Sequence, residues 1–168
     1  KLDIFVNNAS PEIERKDFLK LKNKDIFNKI NGLLSGNIVS LKSALQLILK
    51  NRKKSIIINI SSYAAISGGK NIHLYAAAKS ALNTLVTALS KDALANKVKI
   101  VSLVPRRIDT PTFRKNNKIK NYIGLNAFKK RNKIKSIKTS DQFATFVYNK
   151  VVKQININNK PIVYFDSV

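Results

Sequence analysis

The chain has 168 residues, 44% of them apolar, which is enough for one domain with a buried core. It carries 32 basic and nine acidic side chains, a formal net charge of +23, and no cysteine, so a disulfide framework and a thiolate metal site are excluded. A lone histidine, His73, gives no reason to expect a metal centre, and no apolar stretch reaches the length of a membrane span.

In chain order, Asp3 to Val6 reads as a strand ending at Asn7-Asn8. A polar segment through Lys29 follows, with helical spacing at Phe18, Leu21, Ile26 and Ile30. Leu33 to Leu49 repeats apolar residues at helix-like intervals, including Leu41, Leu45 and Leu49. The run Ser55-Ile56-Ile57-Ile58-Asn59-Ile60 is short, β-branched and apolar, the pattern of a strand buried on both faces of a parallel sheet. It stops at Ser61-Ser62, a small polar pair at the end of the sheet where open α/β folds bind ligands; the same serines also suit ordinary turn or helix capping. A loop through Gly68-Gly69 leads to a helix bearing Tyr75 and running to about Leu94, then a strand from Val98 to Val104 that Pro105 ends. Asp141 to Ile155 reads as a helix with Phe143, Phe146, Val147, Val151 and Val152 on its apolar side. Pro161 to Phe165 reads as a final short strand. This alternation predicts an α/β fold, a parallel sheet in three layers with right-handed crossovers, as one domain over 1–168 without repeat or linker.

Tyr75 and Lys79 are four residues apart, so a helix puts phenol and ammonium on one face, one turn apart. A nearby lysine favours the phenolate and suits the tyrosine to proton transfer near neutral pH. A lysine-rich helix also contains this spacing by chance. Ser62 lies 13 positions upstream, at the end of a buried strand.

Four segments in this order resemble the classical short-chain dehydrogenase/reductase family: Asp3-Ile4-Phe5-Val6-Asn7-Asn8-Ala9-Ser10, Asn59-Ile60-Ser61-Ser62, Tyr75-Ala76-Ala77-Ala78-Lys79-Ser80-Ala81-Leu82, and Pro105-Arg106-Arg107-Ile108-Asp109-Thr110. The resemblance implies a Rossmann-like fold and hydride transfer between a nicotinamide and a small-molecule carbonyl or alcohol, with NAD or NADP as cofactor and a slight preference for NADP. It implies that Tyr75 is the general acid/base and that Ser62 holds the substrate oxygen. Lys79 would lower the Tyr75 pKa and bind the nicotinamide ribose hydroxyls. Ile108 and Thr110 would meet the nicotinamide carboxamide, and Asn8 with Ala9 would lie near the adenosine ribose. A homo-oligomer through the helices at 33–50 and 75–95 and a cytoplasmic location are the corresponding expectations.

The chain also departs from the family pattern. No Gly-rich turn that cradles a pyrophosphate is present among its five glycines. In the family that turn belongs to a first βαβ unit ahead of the Asn-Asn strand, and this sequence starts at that strand without a methionine. The expectation is therefore an incomplete fold, a fragment lacking that unit. Counting back from Ser62 puts Leu34 where the family has a helical asparagine, with Asn31 and Asn37 nearby. Arg106 replaces a glycine and would crowd the nicotinamide or alter the loop, and Ser10 replaces another. These departures carry the alternative reading, an inactive remnant retained as a basic binding or interaction module.

Basic residues are scattered, and an AT-rich coding composition accounts for the abundant Lys, Asn and Ile; nucleic acid is not the expected partner. One stretch is denser: Arg114 to Lys138 holds ten basic residues and no acidic one, with Tyr122 and Phe128 interleaved as in RNA-binding segments. Most such runs are solvated surface. By resemblance, 106–138 is also where the family places a lid over substrate, and a cationic lid would suit an anionic substrate.

Overall fold

The computed structural model describes residues 1–11, 15–50, 54–92, 98–153 and 160–165. Its elements begin with β1 (Ile4–Asn7), a 3-10 turn at Phe18–Lys20, α1 (Asn23–Ile30), a π-helical turn at Asn31–Ser35, and α2 (Gly36–Ile48). β2 (Ser55–Ile60), α3 (Ala64–Ser67), α4 (His73–Lys91) and β3 (Val98–Pro105) follow. The remainder is β4 (Ile108–Asp109), α5 (Pro111–Asn116), α6 (Tyr122–Arg131), β5 (Lys138–Thr139), α7 (Ser140–Val147) with a π turn at Tyr148–Val152, and β6 (Ile162–Phe165). The expected helix ends at Leu94 and Ile155 lie outside the described residues.

Isoleucine-rich β2 is buried along nearly its whole length, as a central strand should be, because branched side chains pack well on a pleated surface. It pairs in parallel with β1, Ile4 opposite Ile56 and Asn7 opposite Asn59, and in parallel with β3, Ile57 opposite Ile100 and Asn59 opposite Ser102. The four-stranded sheet has the order β1-β2-β3-β6. Parallel neighbours need crossovers. Helix α2 makes one and α4 the next, and both press on the same sheet face: Leu41, Ala44, Leu45 and Ile48 from α2 and Leu82 and Val86 from α4 meet Ile57, Val98 and Ile100. Burying each such aliphatic side chain stabilises the fold by roughly 1.5–3 kcal/mol.

One row closer to the carboxyl ends of the strands, that same face turns polar. Asn7 Nδ2 donates to Asn59 Oδ1 (3.1 Å), Asn59 Nδ2 to Ser102 Oγ (2.9 Å), and the Ser102 hydroxyl to Asn83 Oδ1 on α4 (2.6 Å). Asn7, Asn59 and Ser102 are all buried, so this chain of bonds fixes the strand register: a one-residue slip would leave every member unpaired.

Contacts group the described residues into two compact units, one within 1–104 with 160–163 and one within 105–153 with 164–165. The second unit has its own small parallel pair, β4 with β5. Its helices are capped by local side chains: Thr110 accepts from the Phe113 N–H, Asn121 from the Gly124 N–H, and Thr139 forms a capping box with Gln142. Arg114 grips Asp109 bidentately, both contacts at 2.6 Å, and that ion pair holds the Asp109 carboxyl below its usual pKa. Phe113 and Phe128 meet edge to face at 5.5 Å, and Phe143 and Phe146 pack on Phe165. Segment 106–138, for which the sequence reading offered only charge and position, thus contains two helices and the short strand β4, and ends where β5 begins. Among the described residues no helix is long and apolar enough to cross a membrane.

Candidate active site

The site is built where β2 ends. Ser61 is buried, its N–H donating to the Leu103 carbonyl at 2.8 Å, and its hydroxyl has no hydrogen-bond partner among the described residues. Ser62, one residue on, turns the chain out of the sheet, its Oγ accepting from the Ala64 N–H at 3.2 Å. The short helix α3 follows and ends at Gly68, whose φ of 66° is open to a residue without a Cβ at little cost. From there the chain reaches α4, which brings Tyr75 back to Ser62 so that the two side chains share a hydrogen bond.

Lys79, one turn along α4, is only 3% exposed and its Nζ donates to the Ile60 carbonyl at 2.7 Å. The ammonium lies 5.8 Å from the centre of the Tyr75 ring. Burial holds the Lys79 pKa down at about 8. Burial also raises the Tyr75 pKa, and the hydrogen bond from Ser62 offsets this only in part. The resemblance implied a Tyr75 pKa lowered by Lys79; in this structure desolvation of the phenol outweighs its neighbours, so the neutral phenol is favoured.

Asn8 and Ala9 are exposed at the end of β1. The Ala9 carbonyl accepts from Asn37 Nδ2 at 3.2 Å. Ile108 and Thr110 belong to the second unit, where Ile108 pairs with Lys138 and the Thr110 hydroxyl caps α5. Of the residues singled out from sequence, Ser62, Tyr75 and Lys79 are thus brought into one cluster. His73 is exposed and carries the Phe18 ring edge-on at 5.4 Å.

The departures can be placed as well. Leu34 packs against the core formed by α2, α4 and the sheet, so no polar side chain stands there. Asn31 is exposed, whereas Asn37 is buried. Arg106 does not adopt positive φ, and its N–H donates to the Phe165 carbonyl at 3.3 Å, so its backbone needs no glycine. Sequence reasoning missed Asn59 and Asn83. Asn59 stands in an otherwise aliphatic strand, and that break in pattern was the signal.

A nicotinamide cofactor can be tested against this donor set. An ammonium has three protons, of which the Ile60 carbonyl takes one, so Lys79 near the Tyr75 ring suits a sugar with vicinal hydroxyls. The five glycines stand in helices or in the loop before α4, and none lies between a strand and the helix it opens. The residues present therefore fit the ribose of such a cofactor and supply no Gly-rich turn for its phosphates.

The short chain dehydrogenase family model matches residues 1–121. An uncharacterized oxidoreductase of Staphylococcus epidermidis is 29% identical over 112 residues, covering 66% of this chain and 47% of that protein. A 3-oxoacyl-(acyl-carrier-protein) reductase of Chlamydia trachomatis is 29% identical over 109 residues, 65% of this chain and 43% of its own length. Mouse 17-beta-hydroxysteroid dehydrogenase type 3 is 34% identical over 116 residues, 66% of this chain and 36% of that protein. The match thus spans less than half the length of each of these relatives. Among solved structures, levodione reductase superposes with a TM-score of 0.80 at 20% identity, covering 98% of this chain and 65% of that one. A putative 2-deoxy-d-gluconate 3-dehydrogenase from Agrobacterium tumefaciens with bound NADP gives 0.79 at 20% identity, over 98% and 65% of the two chains. These similarities agree with the parallel sheet, and the family model, which covers well over half of the residues, decides the assignment: the chain belongs to the short-chain dehydrogenase family of oxidoreductases.

Proposed function

We propose that this site carries out the proton-transfer part of a carbonyl/alcohol oxidoreduction that depends on NAD or NADP. The observation that carries the reading is the Ser62–Tyr75 hydrogen bond formed beside buried Lys79. A bound nicotinamide supplies the hydride in reduction and takes it up in oxidation. Tyr75 Oη gives its proton to the carbonyl oxygen in reduction and takes it from the alcohol in oxidation. The Ser62 hydroxyl donates to the same oxygen and holds it within reach of Tyr75. Lys79, protonated below about pH 8, stabilises the phenolate left behind and binds the ribose hydroxyls. Asn8, Ala9, Ile108 and Thr110 are assigned to cofactor binding on the family resemblance.

The NADP bound to the Agrobacterium neighbour and the NADH in complex with a 3-ketoacyl-(acyl-carrier-protein) reductase from Brucella melitensis support a nicotinamide and leave both forms open. Steady-state reduction of a ketone and aldehyde panel by the full-length protein, with NADH and NADPH in parallel, tests the proposal. Consumption of at least one cofactor that requires the carbonyl is expected. No turnover of any member with either cofactor would reject it.

We propose also that the chain self-associates through α2 and α4. Val39 and Leu47 of α2 are 62% and 54% exposed, two apolar side chains that a second copy would cover.

A further inference from the structure

The inward stripe of the helix from the π turn through α2 reads Leu33, Asn37, Leu41, Ala44, Leu45 and Ile48, all of them buried. Asn37 is only 4% exposed, and at its place in the stripe a leucine would be the space-filling residue. Its Nδ2 donates to the Leu33 carbonyl at 3.0 Å and to the Ala9 carbonyl at 3.2 Å, while its Oδ1 is buried without a partner among the described residues. A buried orphan acceptor is costly, so packing alone does not account for an asparagine here. What the asparagine gains is a hold on Ala9, 28 residues earlier in the chain.

A second contact grips the same turn. Gly32, in the π turn, lies so close to the chain beyond Ala9 that a Cβ there would come 3.2 Å from Pro11 Cγ. The turn after β1 is thereby held at three alternate residues: the Asn7 side chain by Asn59, the Ala9 carbonyl by Asn37, and the Pro11 ring against Gly32. Asn8 and Ala9 remain exposed between these anchors. A backbone fixed from beneath and open above is pre-organised for a ligand, which then loses less on ordering it.

We infer that Asn37 is a positioning residue, clamping the Ala9 carbonyl so that the Asn8–Ala9 backbone is set for the dinucleotide. The functional half of this inference rests on the cofactor reading above; the clamp itself does not. Leu34 packs against the core and offers no such group, so the clamp is distinct from anything at that position.

Asn37→Leu in the full-length protein separates positioning from packing, because leucine completes the apolar stripe and removes both donors. The expected result is a melting temperature equal to or above wild type together with weaker NADPH and NADH binding, by at least about fivefold, and a rise in cofactor KM that exceeds any fall in kcat. Amide hydrogen exchange over residues 8–10 should quicken by about tenfold. A Leu variant with wild-type exchange at those amides overturns the clamp. Faster exchange with unchanged cofactor affinity overturns the functional half. If the wild type binds neither dinucleotide, the cofactor reading fails and the exchange measurement alone decides whether Asn37 holds the turn. Should the Leu variant not fold, Asn37→Ser is read by the same two measurements and the same criteria.

Discussion

Tyr75 and Lys79 have environments that push their pKa values in opposite directions, Tyr75 up and Lys79 down to about 8, and both shifts come first from burial. The spacing of Ser62, Tyr75 and Lys79 was legible in the sequence because a helical turn and a strand end are local features. Their desolvation was not, since it depends on what the rest of the fold packs around them. Ser62 lowers the Tyr75 pKa in this structure, so Ser62→Ala should shift the tyrosine limb of the kcat/KM pH profile to higher pH, along with a loss of rate. A shift to lower pH, or none, would contradict the hydrogen bond's role. Lys79 affects stability as well. With a folded pKa of about 8 and an unfolded value near 10.5, the unfolded chain binds more protons between those limits. Lys79 therefore costs stability at neutral pH, and the cost is relieved as pH rises from about 8 towards 10.5. The raised Tyr75 pKa opposes this above about pH 10, where the unfolded phenol ionises first, so the clean window is pH 8 to 10. Denaturant titrations should show stability rising with pH across that window in wild type and a flatter profile in Lys79→Met. Identical slopes would contradict the assignment.

Among the elements, β2 was the most legible, its bounds read correctly from a β-branched run. Helix α2 was legible from apolar spacing, and α4 from the four-residue interval between Tyr75 and Lys79 after the Gly68-Gly69 loop. The π turn at Asn31–Ser35 was not, because nothing in local composition distinguishes it from the α-helix on either side. The helices at 111–116 and 122–131 were hidden by their lysines, although the caps Thr110 and Asn121 stood in the sequence as start signals. The polar row across β1, β2 and β3 could not be foreseen because it joins residues 43 and 52 positions apart. Asn59 is its centre, donating to one neighbour and accepting from the other. Asn59→Leu keeps the branched shape but strands the Asn7 amide and leaves the Ser102 hydroxyl with Asn83 as its remaining partner in the row, and should destabilise the protein by about 2–4 kcal/mol in denaturant unfolding. A change within about 0.5 kcal/mol would mean that the row contributes little to the register.

For the whole molecule, β1 is the first strand of the sheet order, and its Ile4 and Val6 side chains are 44% and 51% exposed although their register partners Ile56 and Ile58 are buried. Self-association through α2 predicts a multimer by light scattering that Val39→Asp with Leu47→Asp dissociates; a wild type that is monomeric at every concentration would contradict it. The net charge of +23 bears on solubility and encounter with anions, and the family assignment does not depend on it. The central claim is that Tyr75 delivers the proton while a nicotinamide delivers the hydride. Its most direct test is deuteride transfer: incubate the full-length protein with C4-deuterated NADPH or NADH and a ketone it accepts, and analyse the alcohol by mass spectrometry. The account predicts one deuterium on the carbinol carbon with wild type and a rate lower by about 100-fold or more with Tyr75→Phe. Deuterated alcohol formed equally fast by Tyr75→Phe, or none formed by wild type with either face of either cofactor labelled, would contradict it.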